Sequence, residues 1–170
     1  MKIDFNADEI SFIDAAAEKI AIMKLGEKQY EIDNGNVKKR FKTGLIGEAA
    51  VYKMLGYSCY DIEFDAGCTK KFSHCDIENI GFFKTGIKSV EEGKAHIIYR
   101  NNKENQILLN VCGNSVEILG IATVDVLNDP NNHDDNLILD KRILYKGFKT
   151  AFIGYDKLIP FNEENLISLE

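Results

Sequence analysis

A mixed α/β domain is predicted by three observations. Apolar residues recur at helical spacing through the first third of the chain, period-two alternation takes over from Tyr57, and Gly, Asn and Asp punctuate the later runs. Two helices ahead of a run of strands predict a mixed central β-sheet flanked by helices on at least one face. At 170 residues and 45% hydrophobic content the chain fits a single domain, 1–170, able to bury a sizeable core, with an N-terminal helical segment over 1–34 and a core over 35–161.

The first helix opens at Asn6, with Glu9 three residues on completing a capping pair, and Ile10, Ile13, Ala17, Ile20 and Ala21 carry its apolar face until Gly26. A polar link at 31–36 leads into a second helix over 35–55. Gly44 and Gly47 cost that helix propensity and point to close approach of its backbone to a sheet, and Gly56 is its natural stop. Strands are expected at 57–64, 74–80, 82–90, 96–100, 106–112 and 116–126. The stretch 130–136 reads as a loop and 137–144 is ambiguous; 150–153 reads as a short strand ahead of 155–159. No internal repeat or low-complexity tail is present.

No apolar run approaches the ~20 residues that span a bilayer, and MKIDFNADEI lacks the basic-then-apolar order of a signal peptide. A soluble, cytoplasmic protein with no membrane partner is expected. Cys59, Cys68, Cys75 and Cys112 form no CxxC pair, so reduced, buried thiols are expected rather than disulfides or a zinc knot built on Cys68, His74 and Cys75. With 27 acidic against 21 basic residues, net −6, the chain lacks the footprint of a protein that binds nucleic acid through its whole surface. Local basic clusters remain. Lys38, Lys39, Arg40 and Lys42 precede Glu48, and Lys70 and Lys71 precede Asp76; each run fits either a rim that tracks phosphates or an ordinary solvated face.

The chemistry concentrates in the middle of the chain. On the second helix Phe41, Leu45, Glu48, Tyr52 and Leu55 fall on one face, which places a carboxylate in an apolar stripe. Burying an unpartnered carboxylate costs on the order of several kcal/mol, so Glu48 asks for a cation, a metal or a raised pKa. Alternation puts His74, Asp76 and Glu78 on one face of their strand, and after a reversal at Gly81 it puts Lys84, Gly86, Lys88 and Val90 on one face of the next. A turn centred near Phe82 sets Lys88 opposite Asp76, and one centred on Ile80 sets Lys84 there. Two carboxylates and an ammonium arranged so can bind a hard divalent cation through oxygen and stabilise the charge that develops during phosphodiester hydrolysis. The same residues also fit a plain Asp–Lys cross-strand pair on a solvated face.

The segments GLIGEAAVYKMLG, HCDIENIG and FKTGIKSV, in that order, resemble the helix, acidic strand and lysine strand of the PD-(D/E)xK nuclease superfamily. ILLNVCGNSVEILGIATVDVLND and the later YDKLIPF resemble the segments downstream of the site in phage and bacterial members. The resemblance covers residues 40–161 and implies a restriction-endonuclease-like fold and Mg²⁺- or Mn²⁺-dependent DNA cleavage, possible as a homodimer. Matched by position, Glu48 corresponds to the helix glutamate, Asp76 to the first strand carboxylate and Lys88 to the lysine, with the Ile87 carbonyl offered to the metal. Two positions depart from the pattern: Gly86 stands where the family has Asp, Glu or Gln, and Cys75 replaces a proline. Glu63, Glu78, Glu91 and Glu92 are the acids that could take the place of the missing one. If none does, the alternative is a catalytically inactive module on the same fold that binds a protein partner.

His96, at the head of the apolar stretch HIIYR, reads as a histidine at the edge of the core. His133 sits in PNNHDDN, whose spacing does not match an EF-hand loop, so a solvated turn is expected. The chain has no Gly-x-Ser-x-Gly elbow, phosphate-binding glycine loop or dinucleotide fingerprint, which excludes the commonest forms of those enzyme classes.

Overall fold

The computed structural model describes residues 1–23, 37–61, 85–140 and 147–169. Among the described residues four strands form a mixed sheet in the order β1 (Lys2–Asp4), β5 (Ser115–Ala122), β4 (Asn105–Cys112), β2 (Thr85–Glu91). β2 runs parallel to β4, whereas the β4–β5 and β5–β1 pairs are antiparallel. The parallel pair requires a crossover, and residues 92–104 supply it. β3 (Ile97–Tyr99) lies within that crossover and pairs with β6 (Lys149–Ala151) in a separate two-stranded sheet.

Two helices cover one side of the larger sheet. α1 (Ala7–Met23) starts with the expected capping box: Glu9 N–H donates to Asn6 Oδ1 at 2.9 Å, and Asn6 N–H donates to Glu9 Oε2 at 2.8 Å. α2 (Val37–Met54) packs antiparallel to α1, as its ion pairs show: Glu18 meets Lys38, Asp14 meets Lys42 and Glu9 meets Lys53, so numbers fall on one helix as they rise on the other. Gly56, at φ +83°, ends α2, with Tyr57 N–H donating to Tyr52 O at 3.0 Å. The core between helices and sheet includes Ile13, Ile46, Ile107, Leu109 and Ile121, all fully buried. A smaller cluster, Ile98, Leu108, Ala122, Leu127 and Phe152, fills the space between the other sheet face and the β3–β6 pair.

Several sequence expectations are corrected. The start of the predicted strand 57–64 is instead a 3₁₀ turn at Cys59–Asp61, because the chain folds back onto α1: Cys59 is buried, and Tyr60 meets Phe12 edge-to-face at 5.0 Å. The predicted strand 116–126 ends at Ala122, where the Thr123 hydroxyl accepts from Val126 N–H and starts a short helix, α3 (Val124–Asn128). β5 also carries a bulge, with Leu119 as the extra residue and Gly120 at φ +148° lying against the Ile159 carbonyl. The β1 strand and a terminal helix, α4 (Glu163–Ser168), were not expected. The predicted strand 74–80 lies outside the described residues. Cys59 and Cys112 are free thiols, and among the described residues no helix is long and apolar enough to cross a membrane.

Candidate functional site

β2 organises the candidate site. Its side chains alternate, and the Thr85, Ile87 and Ser89 side faces α2: a Cβ built on Gly47 would lie 1.8 Å from Ser89 Oγ and 3.8 Å from Ile87 Cγ2. Gly47 therefore lets the α2 backbone press onto the strand, as expected of it, whereas Gly44, of which the same was expected, has no described neighbour within 4 Å of such a Cβ. Glu48, half-buried, is the next residue on that helix. The hydroxyls of Thr85 and Ser89 are buried in this contact with no hydrogen-bond partner among the described residues.

Gly86, Lys88 and Val90 belong to the opposite face, toward the β3–β6 pair. Two contacts mark it. Gly86 is paired in register with Gln106 of β4, and a Cβ on Gly86 would lie 2.7 Å from Gln106 Nε2 and 3.0 Å from Oε1. The Gln106 amide thus occupies the space beside the position where the resembled motif carries its second acid. Lys88, half-buried, acts on His96, a fully buried ring whose Nε2 lies 3.0 Å from Leu109 O and whose Nδ1 lies 3.0 Å from the Tyr155 hydroxyl. A carbonyl only accepts, so Nε2 carries the proton and Nδ1 accepts from Tyr155. Burial, with the Lys88 charge adding to it, pushes the His96 pKa down to about 4. The histidine expected at the core edge is in fact an interior, neutral one.

α2 and β2 thus pack directly, yet Lys88 leaves its strand on the face away from α2. β2 is the last strand in the described order, so its open side is where groups from the two faces could converge. Asp76, Lys70 and Lys71 lie outside the described residues, as do Lys84, Glu63, Glu78 and the Cys68, His74, Cys75 set. Glu91 is engaged elsewhere. It is on the α2 side, accepts from Lys39 and Lys94 at 2.7 Å each, and is held below the usual carboxylate range by those two hydrogen bonds. Glu92 is exposed in the turn after β2.

The Glu48 carboxylate, the Ile87 carbonyl and the Gln106 amide carry hard oxygen of the kind Mg²⁺ takes, with Gln106 on the face of β2 away from α2. Among the described residues no three His, Cys, Asp or Glu side chains gather as a metal cluster. The calcium-like loop is built for itself. Asp129 and Asp134 accept from Asn131 and Asn136 N–H in their own 3₁₀ turns, Asp135 takes Arg100 and Thr150, and His133 Nε2 donates to Leu127 O at 2.8 Å. His133 is half-buried rather than solvated.

The basic run on α2 splits between two sides. Lys38 and Lys42, four residues apart, face α1 and pair with Glu18 at 2.8 Å and Asp14 at 2.9 Å. Lys39 pairs with Glu91, and the Arg40 guanidinium lies 4.9 Å from the centre of the Phe41 ring. The four bases therefore do not share one surface: Lys38 and Lys42 belong to the α1 side and Lys39 to the β2 side. Sequence reasoning singled out neither Gln106 nor Lys94. The available signal for Gln106 was a polar residue directly ahead of the apolar run Ile107–Leu109 of β4, but its register with β2 depends on the parallel crossover. Comparison of the chain with protein-family models, with curated proteins and with solved structures finds no match.

Proposed function

We propose that the chain is a divalent-metal-dependent nuclease of the PD-(D/E)xK kind, built on a restriction-endonuclease-like core and hydrolysing phosphodiester bonds in DNA. The observation that carries this reading is the seating of Gly47 on Ser89, which docks the helix bearing Glu48 directly on the strand bearing Lys88. Glu48 and Asp76, with the Ile87 carbonyl, are the groups that would hold Mg²⁺ or Mn²⁺, which supplies polarisation of the phosphoryl oxygen and a more acidic water. Lys88 contributes a fixed positive charge for the phosphorane and a donor that orients water. The neighbouring His96, neutral near pH 7, adds no competing charge.

A second reading is favoured by one observation, the Gln106 amide beside Gly86 where a second carboxylate is absent. On that reading the chain is a catalytically inactive module that binds a protein partner. Titration of Mg²⁺ and Mn²⁺ into wild type, Asp76→Ala and Lys88→Ala, with plasmid nicking measured in parallel, separates the two. The nuclease predicts metal binding and nicking in wild type, loss of both in Asp76→Ala, and retained binding without nicking in Lys88→Ala. Absence of both signals from wild type favours the binding module.

A further inference from the structure

His96 ties several segments of the fold together. It directly precedes β3, and its carbonyl accepts from Phe152 N–H, next to β6, at 2.9 Å. Its fully buried ring donates from Nε2 to Leu109 O of β4 and accepts at Nδ1 from the Tyr155 hydroxyl, each at 3.0 Å, and it also makes a hydrogen-bonding contact with the main chain of Lys88 on β2. Leu109 and Lys88 lie at neighbouring steps of one ladder, since Lys88 is in register with Leu108 and Ser89 with Leu109. One ring from the second layer therefore grips both strands at the level of Lys88. Tyr155 is itself held edge-to-face against the His96 and Phe152 rings, with centres 5.7 and 5.3 Å apart. By donating to Nδ1 it keeps the proton on Nε2, where the Leu109 carbonyl takes it.

We infer that His96 is a positioning residue for Lys88 and that Tyr155 sets the tautomer in which it works; the inference rests on the nuclease reading above, in which Lys88 acts on the phosphoryl group. A buried imidazole costs desolvation that an apolar side chain of its size would not, so what it contributes at this place is its bonds. Those bonds matter more for Lys88 than for a residue in the middle of the sheet, because among the described residues β2 has a ladder on one side only. A group that acts on a transition state loses up to roughly 100-fold in rate when it is misplaced by about 1 Å. Being neutral near pH 7, the ring braces the strand without adding a charge of its own.

The test uses the full chain and two variants: His96→Gln, which loses the bonds to Leu109 and Tyr155, and Tyr155→Phe, which removes a single oxygen and keeps the ring packing. Plasmid nicking under Mg²⁺ should show kcat about tenfold lower in His96→Gln and about threefold lower in Tyr155→Phe, with KM and Mg²⁺ affinity unchanged. Leu127→Ala, which loosens the same apolar cluster as Phe152 and leaves the bonds of the ring in place, should keep wild-type kcat; thermal melts set each assay where every variant is folded. Amide hydrogen exchange gives a readout independent of cleavage: His96→Gln should lose at least about tenfold in protection across 87–89 relative to Ile118 of β5. The inference is overturned if nicking depends on Lys88 but both variants keep wild-type kcat, which leaves the nuclease standing. It is equally overturned if Leu127→Ala lowers kcat as much as His96→Gln does, since the effect is then general loosening. If wild type does not nick under Mg²⁺ or Mn²⁺, the nuclease reading falls and hydrogen exchange decides alone: a loss of protection concentrated at 87–89 supports the brace, and an even loss across the sheet overturns it.

Discussion

Gly47 and Ser89 are in such close contact that a methyl group on the glycine would lie 1.8 Å from the serine Oγ and 2.8 Å from its Cβ. The Oγ can rotate away, but the Cβ is fixed to the strand backbone, so α2 must lift from β2 to admit a side chain. Gly47→Ala gains about 1 kcal/mol of helix propensity and should nonetheless lose about 1–3 kcal/mol net through overpacking. Urea denaturation checks it, and a variant as stable as wild type would show that the helix has room to move. Ser89→Ala removes a buried hydroxyl that has no hydrogen-bond partner among the described residues and should be neutral or mildly stabilising.

The same contact shows how much was legible in the chain. Gly47 within an otherwise helical pattern announced a close approach, the Asn6–Glu9 pair announced a helix start, and Gly56 announced a helix end, because each depends only on neighbours in the chain. Alternation likewise located β2, β3, β4 and most of β5. What alternation could not show was Thr123 capping a helix inside an apolar run, or the bulge at Leu119, since both are decided by the packing of Leu127 and of Ile159 from distant segments. For the site, the residue types on β2 and α2 were readable from their order, whereas the face each occupies needed the sheet. Glu48 was placed in an apolar stripe by spacing and is half-buried; Glu91 was a free candidate acid and proves to be bound by two lysines.

Glu9 joins three elements, and its removal should be felt at each. Its carboxylate, 12% exposed, accepts from the Asn6 N–H of the capping box and from Lys53 of α2 at 2.8 Å, and lies 3.8 Å from Cys59 Sγ. Glu9→Ala loses the cap and the charge-assisted bond together and should cost about 2–3 kcal/mol. Glu9→Gln keeps the reciprocal cap but not the charge and should cost about 1 kcal/mol. Equal losses in the two variants, measured by denaturant melts, would mean that the cap contributes nothing.

Gly86→Glu restores the carboxylate that the resembled motif has and this chain lacks. Among the described residues the three atoms nearest the new Cβ, at 2.7–3.1 Å, all belong to the Gln106 amide, and an amide at the end of a flexible chain can turn aside. The variant should therefore fold, with a stability loss below about 1.5 kcal/mol. If β2 carries a metal site, its Mg²⁺ affinity by calorimetry should rise at least about tenfold, since a second carboxylate adds a charged oxygen ligand. Gln106→Ala in the same background should enlarge the gain by clearing the space. Unchanged affinity in a folded Gly86→Glu protein would place any metal away from this face of β2.

His96 predicts how stability depends on pH. In the folded protein its pKa is about 4, lowered chiefly by burial and further by the Lys88 charge, against an unfolded value of 6.5. Between those values the unfolded chain binds a proton that the folded one refuses, so stability rises with pH through that window. The His96 contribution is complete above about pH 6.5, falls as the pH drops toward 4, and is exhausted below it. The full amplitude is about 3 kcal/mol. Denaturant melts of wild type from about pH 4 to about pH 7 should show this slope, and His96→Gln should flatten it while lowering stability near neutrality through the lost bonds to Leu109 and Tyr155. Lys88→Met separates the two causes: removing the ammonium should raise the folded His96 pKa and narrow the window from its acid side, which NMR titration of the ring reads directly. A His96 titration that Lys88→Met leaves in place would mean that burial alone sets it, and that the ammonium is directed well away from the ring.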